Sequence, residues 1–141
     1  MDDYRFSFKK TSWESIFVGL DSGHYQVDAN NLSFTKECAD KYLYFKPIAT
    51  NPLVLISLKN AKVKHLKNIE GLTTKDDTGA TTTKLVTDWN KKHKDNPSTI
   101  DYSGEDVSKG LLDLDNGEFD YLIFDKISVK TIIKQKNLAG V

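Results

Sequence analysis

The chain has 141 residues, 38% hydrophobic and 28% charged, and its Lys+Arg 20 equal its Asp+Glu 20. A zero formal charge argues against a nucleic-acid binder, which needs a basic face to displace counterions, and no stretch approaches the ~20 apolar residues of a membrane span. Cys38 is the single cysteine, which excludes an internal disulfide framework and a cysteine-based zinc site. His24, His65 and His93 are too dispersed to put two ligands on one helix face, so neither a metal nor a cofactor is expected.

At the start, Asp2, Asp3 and Arg5 run directly into an alternating pattern, and no secretory signal peptide is read there. Tyr4, Phe6 and Phe8 alternate with polar residues, the period-two signature of a strand. Thr11-Ser12-Trp13-Glu14 has the form of a capping box opening a helix, whose apolar stripe is Trp13, Ile16, Phe17 and Leu20. Gly23 is placed to end it in a left-handed conformation. A short strand is expected over residues 25–29, then a polar crest, Asn30-Asn31-Leu32-Ser33, then a helix capped by Thr35 with Ala39, Tyr42 and Leu43 on its apolar side. The order so far is β-α-β-α.

Pro47 and Pro52 bracket a break, and residues 53–58 read as a buried strand. A short basic helix over 63–69 ends at Gly71, and residues 72–75 form a weak strand. Thr78-Gly79-Ala80-Thr81 leads into a long helix carrying Leu85, Val86 and Trp89, which Asn96-Pro97 stops. Residues 98–102 form a strand, and Ser103 or Gly104 caps a helix carrying Val107, Leu111, Leu112 and Leu114. Tyr121-Leu122-Ile123-Phe124 lacks alternation, as a strand covered on both faces does. Ser128 caps a last helix with Val129, Ile132 and Ile133.

Strands alternating with helices imply α/β units with mainly parallel sheets. The turn Leu20-Asp21-Ser22-Gly23 is echoed by Leu114-Asp115-Asn116-Gly117, each followed by an aromatic residue two positions on. The echo suggests two similar lobes, although α/β proteins in general reuse helix-glycine-strand turns. Ligands of open parallel sheets sit beyond the carboxyl ends of the strands. That rule selects Asn31 and Ser33 in the first half, Asp125 in the second, and the helix start at Ala80 and Thr81, whose free amides can hold an anion. A small zwitterion fits such a set, with its carboxylate at the helix start and its ammonium at Asp125; Asp125 could equally cap the following turn. No serine sits in a glycine-bracketed elbow, and no phosphate loop or acid–base carboxylate pair stands out, so the chain is read as a non-enzyme.

The stretch from Lys10 to Gly23, continued by Asn30-Asn31-Leu32-Ser33-Phe34-Thr35-Lys36-Glu37, resembles the tryptophan-containing helix and following crest of bacterial extracellular solute-binding proteins of the polar amino-acid ABC importer family. Ile69-Glu70-Gly71, Thr78-Gly79-Ala80-Thr81 and the run from Leu114 to Asp125 extend the likeness over nearly the whole chain. The resemblance implies a type II periplasmic-binding-protein-like fold of two α/β lobes. Residues 1–50 would then be a partial first lobe (β-α-β-α), and residues 51–141 the second lobe, a hinge strand plus α/β units without the returning strand. It implies a chain truncated at both ends relative to that family. It further implies an extracytoplasmic place, periplasmic or lipid-anchored, capture of a polar amino acid by Asn31, Ser33, Ala80, Thr81 and Asp125, and delivery to an ABC permease. The alternative is a fragment without ligand binding that self-associates, as a homodimer, through exposed lobe surfaces. One departure stands out. Cys38 occupies the place of the family's arginine, whose guanidinium clamps a carboxylate through two bonds that a thiol cannot supply.

Overall fold

A computed structural model describes residues 4–30, 32–47, 49–103 and 106–141. Its framework is a four-stranded sheet built from the second part of the chain, with order β1-β4-β2-β3. The strands are β1 (Leu53–Ser57), β2 (Thr73–Lys75), β3 (Thr99–Asp101) and β4 (Tyr121–Asp125). β2 runs parallel to both β3 and β4, while β1 lies antiparallel to β4 with Leu53 opposite Asp125 and Ser57 opposite Tyr121. The sheet is therefore mixed: the parallel expectation holds for the α/β units, and β1 enters from the opposite direction.

Side chains of a strand point alternately to the two faces, and here each face has its own core. On one side Ile56, Leu111, Leu114, Phe119, Leu122, Val129 and Leu138 pack together, contributed by the sheet, α4 (Val107–Asp115), α5 (Lys126–Lys136) and the segments beside them. On the other, Val63, Ile69, Val86, Tyr121 and Ile123 pack beneath α3 (Thr81–Lys92). β4 thus feeds Leu122 to the first core and Tyr121 and Ile123 to the second, which is why its sequence is apolar without alternation.

Tyr121 is wholly buried, and its phenol is 2.6 Å from Ser98 Oγ. Ser98 Oγ–H already donates to the Leu72 carbonyl at 2.7 Å. A hydroxyl has one proton, so Tyr121 O–H is the donor to Ser98. Burial pushes its phenol up to about 12.

Helix starts differ in detail from the expected ones. α1 (Trp13–Asp21) has Ser12 rather than Thr11 as its N-cap, and the Ser12 hydroxyl lies 2.8 Å from the Ser15 hydroxyl instead of closing a capping box. α2 (Lys36–Ala39) is one turn long, and Thr35 caps it as expected, accepting from the Cys38 amide at 3.1 Å. Asp106 caps α4 and Asp125 caps α5, each accepting the amide of the serine two or three residues on. Ser128 is thus the donor at the last cap and not the cap itself, because a carboxylate is the stronger acceptor. Gly104 lies outside the described residues. The basic helix over 63–69 is reduced to a single 3-10 turn, Leu66–Asn68.

The two echoed turns share one geometry. Gly23 and Gly117 have φ of 71° and 78°, and their amides donate to Leu20 and Leu114. The strand that follows forms only in the second case. Residues 4–9 and 25–29 carry strand patterning but join no ladder among the described residues, and Tyr4, Phe6 and Phe8 are 82%, 79% and 87% exposed. Alternation specifies a face, whereas a strand also needs a neighbour to take its backbone bonds.

Candidate functional site

The carboxyl ends of β2, β3 and β4 open on one end of the sheet, where the chain passes into α3 and α5. After β2 the backbone makes a tight crest, Asp76-Asp77-Thr78-Gly79. The Asp76 amide donates to the Asp101 carbonyl at 3.0 Å, which ties the crest to the end of β3. Gly79 has φ of 79°, a left-handed conformation that costs glycine nothing and that a side chain would strain. Ala80 is the N-cap of α3 and has no side chain with which to cap it. The first-turn amides, at the positive end of a twelve-residue helix, are left without the side-chain acceptor that Asp, Ser or Thr would supply at that position.

Two carboxylates back this crest. Asp76 Oδ1 accepts the Asp77 amide at 2.9 Å, and the Asp77 carbonyl accepts Thr83 Oγ1 at 2.7 Å. Burial raises Asp76 above the ordinary carboxylate range, against hydrogen bonds from Thr82, the Asp77 amide and Thr83 that pull it down. Asp77 is raised as well, by burial first and then by repulsion from Asp76 and from Glu14. Glu14 lies in the first turn of α1.

At the end of β4, Asp125 is 8% exposed. Its Oδ1 accepts the Ser128 amide at 2.8 Å and Asn51 Nδ2 at 2.6 Å, while Asn51 Oδ1 accepts the Ile127 amide at 3.1 Å. The cap reading of Asp125 is therefore realised.

Of the sequence-selected residues, Ala80, Thr81 and Asp125 are brought to the same end of one sheet. Ser33 is exposed in the first part of the chain, where its carbonyl accepts the Tyr44 hydroxyl at 3.5 Å. Asn31 lies outside the described residues. Cys38 is a free, partly buried thiol. Tyr44 is raised by burial first and then by Cys38 and Asp28, which places phenol, thiol and carboxylate in one neighbourhood. Asp28 Oδ2 is buried with no hydrogen-bond partner, and desolvation raises its carboxyl. Where the resemblance expects a guanidinium, the chain thus presents a thiol. Sequence reasoning missed Asn51, Asp76 and Asp77. Consecutive carboxylates just before a glycine and a helix start were the available signal for the last two; for Asn51 the only hint was its position against Pro52.

This architecture is the type II periplasmic-binding-protein fold. An ancestral arginine-binding protein has the same fold, with a TM-score of 0.81 at 20% identity over 95% of this chain and 58% of that one. The chain is similar to amino-acid and cystine solute-binding proteins of ABC transporters. One is the L-cystine-binding protein TcyA of Bacillus subtilis, 27% identical over 131 residues, 92% of this chain and 46% of TcyA. A solved structure from work on glutathione import in Gram-positive bacteria, through GshT and the cystine importer TcyBC of Streptococcus mutans, is 42% identical with a TM-score of 0.95, over 99% of this chain and 59% of that one. The chain spans about half the length of the curated relatives it matches. No family model matches it.

Proposed function

We propose that this chain supplies ligand-binding surface to an extracytoplasmic amino-acid receptor feeding an ABC permease. The observation that carries the reading is the uncapped start of α3 at Ala80 and Thr81 beside the buried Asp125, at the carboxyl ends of neighbouring parallel strands. The amides of that helix start suit an α-carboxylate, and Asp125 suits an α-ammonium. On this reading residues 1–50 and 51–141 belong to two lobes, and Asn31 and Ser33 of the first contribute ligand contacts. With Cys38 at the arginine position, the α3 amides carry more of the carboxylate's charge than a guanidinium-containing site would ask of them. Solute-binding relatives that are not enzymes support a binding role, and anchoring to the membrane by lipid is compatible with it.

Amide NMR of the chain during titration with L-cystine, glutathione, arginine and glutamine tests this. The expected result is saturable shifts of the Thr81, Thr82 and Ser128 amides with one or more of these ligands, weakened on the order of a hundredfold in Asp125→Asn, since losing one partner of a charged pair costs a few kcal/mol. Asn still caps a helix, so the variant isolates the charge. Silence at those amides with every ligand would remove the reading.

A second reading is self-association of a chain that binds no ligand, favoured by the exposure of Phe6, Phe8, Phe34, Leu43 and Phe45 in the first part of the chain. Exposed apolar surface of that extent is commonly covered by a partner. Light scattering over a concentration series is expected to show dimers under this reading, and a monomer throughout would end it.

A further inference from the structure

The chain's net charge of zero conceals a segregation along the strand axis. Because Ser57 is in register with Tyr121, the segment after β1 leaves the sheet at the end opposite the crest. That segment holds Lys59, Lys62, Lys64, His65 and Lys67 within nine residues, all exposed and with no carboxylate among them. The helices return to the same end. The Lys59 amide and Nζ donate to Gly140 and Ala139, which joins the loop to the end of α5 with its exposed Lys134 and Lys136. The Gly71 amide donates to Asn96, which joins it to the end of α3 with Lys92 and Lys94.

Of the carboxylates at this end, Asp120 is held by the amide and hydroxyl of Thr73, Asp115 by the Gly140 amide and Glu118 by Lys75, while Glu70 and Asp95 are exposed; the lysines outnumber them. Among the described residues, none of Lys59, Lys62, Lys64 and Lys67 forms an ion pair. Asp76, Asp77, Asp101 and Asp125 crowd the opposite end. The protein is therefore polar along the strand direction, cationic at the far end and anionic at the crest.

We infer that this lysine end is a docking surface for an anionic lipid bilayer. The chemistry favours that partner over nucleic acid. Every cation of this end is a lysine, a mobile point charge suited to a diffuse negative surface, and the chain's one arginine, Arg5, lies elsewhere. No aromatic residue interleaves the basic loop to stack on bases. Each lysine held near a charged bilayer adds to the attraction, within a Debye length and subject to screening by salt. Such contact is reversible, and it leaves the crest pointing away from the lipid. The inference does not depend on the ligand reading.

Co-sedimentation of the chain with vesicles of phosphatidylcholine, alone or mixed with phosphatidylglycerol, tests it. Partition onto the mixed vesicles alone is expected, falling as salt is raised. The quadruple variant Lys59→Gln/Lys62→Gln/Lys64→Gln/Lys67→Gln is expected to partition on the order of a hundredfold less. A control of equal charge loss, Lys9→Gln/Lys10→Gln/Lys36→Gln/Lys46→Gln, is expected to stay within about threefold of the parent, because it spares the cationic end. All eight positions are exposed, and thermal melting verifies that each variant folds. Equal partition onto both vesicle types, no partition onto either, an equal fall in the two variants, or tighter binding to a short DNA duplex than to the mixed vesicles would each overturn the inference.

Discussion

Replacing Asp113 by alanine is expected to lower the stability of the fold by about 3–5 kcal/mol, the cost of breaking a largely buried ion pair by removing one partner. Asp113 Oδ2 lies 3.0 Å from Lys75 Nζ and 2.9 Å from Lys109 Nζ, and its side chain is 9% exposed. Lys109 reaches solvent and loses little. Lys75 is only 17% exposed, with its ammonium 5.6 Å from the centre of the Phe119 ring and 3.9 Å from the half-exposed carboxylate of Glu118. Lys75 ends β2 and Asp113 lies on α4, so the pair sits where strand, helix and core meet. In urea the midpoint is expected to fall at unchanged slope. Replacing both partners with apolar residues, Lys75→Met with Asp113→Leu, is expected to recover most of the loss, because a buried pair is worth little more than its apolar replacement. A loss below about 1 kcal/mol in Asp113→Ala would show that solvent reaches Lys75 and that the pair does not hold β2 to α4.

The second large effect belongs to alkaline pH. Below pH 10 Tyr121 holds its proton both folded and unfolded; the unfolded chain releases it near 10, and the folded protein near about 12. Over that window the unfolded state binds fewer protons, so stability falls as pH rises, by about 2–3 kcal/mol in total. Denaturation curves at stepped pH should show the parent losing this increment and Tyr121→Phe lacking it. The variant starts lower by about 1 kcal/mol at neutral pH, for its lost bond to Ser98. Parallel pH profiles for the two proteins would mean that water reaches the Tyr121 phenol.

The second half of the chain was largely legible in the sequence. Apolar runs bounded by Gly71, Asn96-Pro97 and Gly117 locate the four strands and three longer helices, because each run carries its own burial pattern and its own stop. Direction was less legible. Nothing in residues 53–57 distinguishes an antiparallel hinge strand from a parallel one, since register and partner come from the remote β4. Caps slipped by one residue at α1, from Thr11 to Ser12, and by three at α4 and α5, where the charged acceptors Asp106 and Asp125 won over the hydroxyls of Ser103 and Ser128. The first half was legible as pattern but not as structure. Tyr4, Phe6 and Phe8 announce a strand face, yet alternation carries no information about which segment lies alongside. The candidate residues Ala80, Thr81 and Asp125 were selected by one rule about strand ends, whereas Asn51 could not be found, because its bonds exist only once β1 lies against β4.

That asparagine has a mechanical meaning. Its amide grips the Asp125 carboxylate with one hand and the first turn of α5 with the other, two residues before β1 begins. The junction between the two parts of the chain is consequently fastened to the negative pole of the crest. An occupant that drew on the Asp125 carboxylate would compete with Asn51 for it and so would be felt at this junction.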